Sequence, residues 1–404
     1  MRDVIVIGMS YLISLGTIRS LGEAGYRVKL LTSNKKTKKI AGRSKYVTES
    51  VLVDFEPDQI IKGLEQLRGN EGKPLVLTLN DRCCKILDEH YETLSSHFCL
   101  PNVNEETGAL VACMDKYKQK QAARECGLLT AEGFKCSTDE NGVAQAVKDA
   151  KYPCFLKPAV SASMKNCKTA LVLCNDEDEL RKAMREVREK GCSIVLIEEY
   201  LNFTKELCVY GLAANGNAYA PVLTETIRDG FSKHKGVTIE GYAKSANELA
   251  DVKEKIIEMV KKLNYMGLFC VDLLQCGDKT YFSEINLRGG GSGYAATLVG
   301  ANVTAAMADI AYDHATTRNV EDVTREVRFL NERLEFDAYQ EGFISRREYE
   351  EHLANKEEGF LERADDPEPW RKFQKTIRWA MVKLKLKSFC PKSLFRLYQS
   401  ICWK

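Results

Sequence analysis

Residues 267–276 read GLFCVDLLQC, and residues 279–293 read KTYFSEINLRGGGSG. The two apolar runs flank a short polar break and predict antiparallel partners. Glu284 and Asn286 are two residues apart, so on a strand their side chains share a face. A three-residue loop, Gly277-Asp278-Lys279, is expected to set Asp272 directly opposite Glu284. Two carboxylates and an amide oxygen then converge at one point. Hard oxygen donors of this kind suit magnesium (or manganese), a cation commonly held by one or two carboxylates together with substrate phosphates. Arg288 follows at once, a planar cation matched to phosphate or carboxylate oxygens. Register separates this site from an ordinary hairpin with a polar face: a two-residue turn shifts the pairing and sends Asp272 to the other side.

Working outward, the first hundred residues alternate strand and helix. Strands are expected at Val4–Ile7, Arg27–Leu31 and Leu75–Leu79, with helices over Leu12–Ala24 and Pro57–Arg68. That alternation predicts a doubly wound parallel sheet. The run Gly8-Met9-Ser10-Tyr11-Leu12 lacks the G-x-G-x-x-G spacing that admits a pyrophosphate, so no nicotinamide is expected there and an oxidoreductase is disfavoured. Asp81 ends a strand where such sheets place ligand contacts, and it serves equally as a helix cap.

Further along, Asp115-Lys116 lies on a helix, and Tyr152-Pro153-Cys154-Phe155-Leu156-Lys157-Pro158 is a short apolar strand that ends in a lysine before proline. Ser193–Ile197 is a buried strand running into Glu198-Glu199-Tyr200-Leu201. Asn215-Gly216 marks a hairpin between Glu206–Ala214 and Ala218–Leu223. A helix over Leu249–Leu263 leads to the metal hairpin, and a single small-residue helix is expected over Tyr294–Ala311. Beyond Asn331 the chain is highly charged, which suggests a peripheral helical region.

The order of these parts resembles the ATP-grasp superfamily over about residues 1–315. The resemblance implies an α/β fold: an N-terminal Rossmann-like parallel sheet, two α+β lobes sandwiching ATP, and a charged helical tail. The corresponding domains are 1–100, 101–190, 191–330 and 331–404. Lys116 and Lys157 would neutralise ATP phosphates, with Lys157 and Arg288 serving the chemistry. Glu198, Glu199, Tyr200 and Leu201 would form the adenine hinge, through the Glu198 carboxylate or the following backbone. Glu206 would accept ribose hydroxyls, Ser163 would help bind phosphate, and Asp272, Glu284 and Asn286 would hold magnesium. The segment 224–236 is expected near the acceptor, with Arg228, Lys233, Lys235 and Asp81 as substrate contacts; a solvated basic loop is the plainer reading.

Two features depart from the family pattern. Residues 159–169, the phosphate loop, contain no glycine. Cys270 stands where some carboxylate-activating relatives have an arginine, which argues against a close D-alanine–D-alanine ligase. The Asn-Leu-Arg-Gly-Gly-Gly run looks more like the carbamoyl-phosphate-synthase-like branch, including carboxylate–amine ligases such as D-aspartate ligase. The implied reaction joins a small-molecule carboxylate to an amine through an acyl phosphate. The expected substrate is an amino acid, with a cell-envelope or glycan precursor as acceptor. A soluble dipeptide-type ligase and a non-catalytic ATP-binding regulator are the alternatives.

The whole chain bounds these readings. At 404 residues and 44% hydrophobic content it can bury a large core in two or three domains. A net charge of +2 gives no global field for nucleic acid. Fifteen cysteines without a C-x-x-C suit reduced thiols in a cytoplasmic setting. The charge is uneven: residues 370–404 carry ten Lys or Arg and no acid, leaving −8 on the rest. Trp370, Phe373, Ile377, Met381 and Leu384 recur at helical spacing. This basic amphipathic segment suits peripheral contact with the inner face of a membrane, or equally a helix packed on the acidic body. A homodimer is the expected assembly on general frequency.

Overall fold

A computed structural model describes residues 2–70, 72–159, 171–230, 237–291 and 293–389. Three sheets organise the molecule. The first is parallel, ordered Val47–Leu52, Arg27–Thr32, Asp3–Ile7 and Leu75–Thr78 from edge to edge. Its central strands are apolar on both faces because helices cover both, as parallel sheets require. Pro57 opens the helix Pro57–Leu67, where its missing N–H costs nothing.

The second sheet is antiparallel, ordered Gly133–Ser137, Ile194–Glu199, Cys154–Pro158 and Val172–Cys174. It draws strands from both sides of residue 190. Strand alternation divides its faces. Cys136, Leu156, Val195 and Ile197 pack on the helices Glu140–Asp149 and Glu177–Glu189. Lys135 and Lys157 both lie opposite Leu196, two residues before Glu198, so all three charged side chains share the other face.

The third sheet has nine strands and holds the metal hairpin, Tyr265–Cys276 and Lys279–Asn286. Asp272 does lie opposite Glu284, but by a different route from the expected three-residue loop. The turn is two residues, because Cys276 pairs with Lys279. A bulge between Asp272 and Leu273 then lets Phe282 pair with Leu273 and Glu284 with Asp272. The extra residue of the bulge, Ser283, restores the register that the shorter turn would have lost. The neighbouring hairpin turns at Asn215-Gly216, both with positive φ (53° and 74°), as a tight two-residue turn requires.

Two expectations about helices are corrected. The single helix over Tyr294–Ala311 is two helices, Gly293–Leu298 and Val303–Asp313. Gly300 at φ 97° ends the first turn of chain, and the Asn302 side chain caps the second helix on Ala305 N–H. Nor is the region after Asn331 peripheral. Val327–Leu330 and Glu358–Gly359 join the large sheet, and Glu332 is fully buried, accepting the backbone N–H groups of Phe360, Leu361 and Glu362. The helix Glu368–Phe389 begins by burying Phe373 and Ile377 in the core that includes Tyr11 and Phe336. That stretch of the basic tail therefore docks on the body. No helix among the described residues is long and apolar enough to cross a membrane.

Arg19 ties this C-terminal region to the first sheet's helix Tyr11–Glu23. Its guanidinium is 0% exposed, bonds Asp366 Oδ2 at 2.9 Å and donates to the carbonyls of Phe360, Leu361 and Asp366. Asp366 also accepts from Ser44 Oγ and Lys45 N. Asp366→Ala leaves that cation buried without a counter-charge, and is expected to cost about 3–5 kcal/mol of stability in urea unfolding.

Candidate nucleotide and metal site

The helix Lys116–Glu125 faces both the small sheet and the metal hairpin, and three contacts fix it there. Its Asp115 cap accepts Tyr117 N–H and Lys118 N–H and binds Lys135 of the small sheet at 2.8 Å. Lys116 N donates to Ala159 O, just past the Lys157 strand, at 2.9 Å. The Gln119 amide donates to Ile285 O at 2.9 Å and accepts Ile285 N–H at 3.2 Å. Ile285 lies between Glu284 and Asn286, so Gln119 locks the expected metal ligands to the helix that carries Lys116.

Three sets of opposite charges line this region. Lys116 contacts Glu284 directly. Lys157 Nζ lies 2.6 Å from Glu198 Oε2, and Lys120 contacts Glu198 Oε1. Arg288 Nε donates to Asp81 Oδ1 at 2.6 Å. Burial, then repulsion from Lys157, lowers Lys116 and Lys120 to about 8. Burial works against the charge on Glu198, but Lys157 and Lys120 outweigh it and hold its carboxyl below the usual range. For Arg288 burial likewise opposes the charge, and Asp81 carries its pKa above the ordinary value. Asp272 is raised by burial.

Asn286 joins two of these groups. Its Nδ2 donates to Asp272 Oδ2 at 3.0 Å, and its Oδ1 accepts from Arg288 at 3.0 Å. Asp272, Glu284 and Asn286 thus present two carboxylates and an amide oxygen on adjacent strands, a donor set that fits magnesium. Among the described residues no three His, Cys, Asp or Glu side chains gather into a separate metal cluster. Asp81 is the first helical residue rather than the cap of Asp81–Glu89; Asn80 caps that helix, which leaves Asp81 for Arg288.

The hinge residues stand in sequence at the end of the small sheet. Glu199 accepts Glu132 N–H at 2.9 Å, and Tyr200 packs on Phe155 with ring centroids 5.5 Å apart. Lysines engage the Glu198 carboxylate, and the N–H groups of Glu199 and Tyr200 are given to Glu132 O and Pro153 O. Leu201 is half-buried, and Glu206 sits opposite Leu274 in the large sheet. Arg228 is brought elsewhere: Glu240 and Glu335 bind its guanidinium at 2.6 and 2.8 Å. Two carboxylates already pair with it, on the strand and helix that carry Glu240 and Glu335. Ser163, Lys233 and Lys235 lie outside the described residues. Lys120 was missed by sequence reasoning, although its position four residues after Lys116 on one helix face was the available signal.

The small sheet, the helix Lys116–Glu125 and the metal hairpin thus bring three lysines and an arginine against the carboxylates of Glu198, Glu284 and Asp81. Residues 121–305 match the ATP-grasp domain family, so the chain carries an ATP-grasp domain. It is 28% identical to a formate-dependent phosphoribosylglycinamide formyltransferase of Sulfolobus acidocaldarius over 208 residues, 48% of this chain and 50% of that one. It is also 28% identical to the enzyme of that name from Yersinia enterocolitica over 186 residues, 45% of each chain. The chain spans about half the length of the curated relatives it matches. In structure it resembles N5-carboxyaminoimidazole synthetase from Staphylococcus aureus complexed with ADP, at TM-score 0.65 and 17% identity over 91% of both chains. It also resembles an L-amino acid ligase from Bacillus licheniformis, at TM-score 0.57 and 18% identity, covering 77% of this chain and 74% of that one. These structural likenesses show the fold.

The glycines after Arg288 hold it in place by close approach. A Cβ on Gly290 would lie 2.2 Å from Tyr210 Oη and 2.8 Å from Cys270 Sγ, both in the buried core. Gly290→Ala is expected to destabilise by about 1–3 kcal/mol in urea unfolding, because neither neighbour has room to move.

Proposed function

We propose that this protein is an ATP-dependent carboxylate–amine ligase that forms an amide through an acyl phosphate. The observation that carries the reading is the alignment of Asp272, Glu284 and Asn286 facing Lys116, with Lys157 on the opposing sheet. A substrate carboxylate oxygen attacks the γ-phosphorus of ATP and the bond to ADP breaks. The amine nitrogen then attacks the acyl carbon, and phosphate leaves as the C–O bond breaks. Lys116 and Lys157 bind the phosphates, and Arg288 steadies the acyl phosphate by oriented charge. Asp272, Glu284 and Asn286 would hold magnesium, and the chemistry it would supply is charge neutralisation. Positioning and charge suffice, so no side-chain nucleophile is assigned.

The resemblance of the Asn-Leu-Arg-Gly-Gly-Gly run to D-aspartate ligase supports an amino acid as acyl donor. A cell-envelope or glycan precursor as acceptor rests on the basic tail, and the docking of Phe373 and Ile377 on the body reduces that support to the residues beyond them. The named reaction of the relatives, formate-dependent formyl transfer, supports a small carboxylate donor as the second candidate.

Purified protein with magnesium-ATP and pooled D- and L-amino acids, plus formate in a separate arm, is expected to form ADP and phosphate rather than AMP. Lys157→Ala and Glu284→Ala are each expected to lower turnover by about 100-fold or more. AMP as product, or full activity in both variants, would sink the reading. Nucleotide affinity is also expected to depend on pH. Phosphates favour charged Lys116, so ADP binding is full below about pH 8 and weakens as pH rises through it. Calorimetric titration from pH 7 to 9.5 checks this, and a flat profile counts against it.

A further inference from the structure

We propose that Lys120 is a positioning residue of the nucleotide site: it keeps Glu198 paired when Lys157 leaves that carboxylate for the phosphates. The inference rests on the nucleotide reading above. Glu198 is 6% exposed, Lys120 3% and Lys157 7%. Each oxygen of the carboxylate faces its own lysine, Oε2 with Lys157 at 2.6 Å and Oε1 with Lys120.

One buried carboxylate with two lysines carries one cation more than its own neutralisation needs. A carboxylate with a single lysine would be stranded in a poorly solvated place once that lysine moved to a ligand, at a large cost. With two, one can go while the other remains. The geometry says which. Lys157 lies on the strand Cys154–Pro158 and is the lysine that the nucleotide reading gives to the phosphates. Lys120 lies one helical turn behind Lys116 on the helix that Asp115 and Gln119 fix in place. Lys120 is therefore the resident partner and Lys157 the one that moves.

The depressed proton affinity of Lys120 agrees with this arrangement. Burial is its first cause and the charge of Lys157 its second, so departure of Lys157 relieves the second while Glu198 continues to hold the proton. The carboxyl group thereby keeps its charge throughout.

The test is calorimetric titration of magnesium-ADP into the full chain, wild type and four variants. Lys120→Met is expected to weaken binding at least about tenfold, because Lys157 is then retained by Glu198. Lys120→Arg, which preserves the charge, is expected to stay within about threefold of wild type. Removing the carboxylate's charge should remove the need for its partner, so Lys120→Met/Glu198→Gln is expected to match Glu198→Gln within about threefold. Unchanged affinity in Lys120→Met overturns the inference. So does a double variant clearly weaker than Glu198→Gln, which would mean that Lys120 touches the phosphates itself. If Lys120→Met alone does not fold, the comparison of the double variant with Glu198→Gln decides the question. Wild-type protein that binds no ADP would instead overturn the nucleotide reading, and this inference with it.

Discussion

Buried charge governs the candidate site. Lys116, Lys120 and Lys157 are held with little water around them, and each needs an anion whether or not a nucleotide is present. The fold supplies Glu284 for Lys116 and Glu198 for the other two. Both acids stand on strands, and all three lysines are fixed by elements that the acids' own sheets contact. The small sheet, the Lys116 helix and the metal hairpin are thus bound by one requirement, that their charges meet.

A second layer of contacts transmits this arrangement to the rest of the molecule. Gln119 pairs with both backbone groups of Ile285, closing a side chain onto the strand edge as another strand would. Asn286 links Asp272 to Arg288, and Arg288 reaches Asp81 at the C-terminal edge of the parallel sheet. Gly290 lets the chain after Arg288 approach Tyr210 closely enough for that reach. The first sheet is in turn joined to the C-terminal region through Arg19 and Asp366. These polar pairs work together with one apolar cluster that runs from Val4 and Leu15 through Leu268 and Ala306 to Phe329 and Phe373.

Much of this was legible in the sequence because local chemistry agrees with tertiary need. Alternation around Glu284 and Asn286, the lysine ending an apolar strand, and Asn215-Gly216 between two runs each carry their own physical reason. What was not legible depended on partners distant in the chain. The two-residue turn at Gly277-Asp278 was open to local reading, yet the bulge at Ser283 that compensates for it answers to the placement of Asp272 beside Cys208 and Glu284. Arg228 reads as a free cation until Glu335, 107 residues away, is folded onto it. Lys120 reads as one more polar helix residue until the Glu198 strand is brought against it. Gly300 breaks a helix whose small residues show no other sign of stopping.

The basic tail shows how amphipathic pattern and charge can point different ways. The apolar face of residues 370–377 is satisfied by Tyr11 and Phe336, so its periodicity is explained by the protein's own core. The excess of lysine and arginine does not need that face. Basic residues on a docked helix remain outward, and the body they dock on carries the compensating negative charge. A helix of this kind is attracted to its own domain by the long-range field and held there by aromatic packing. Any anionic surface it meets is then met by cations on its outer side, with the aromatic anchors Trp370 and Phe373 already committed to the interior.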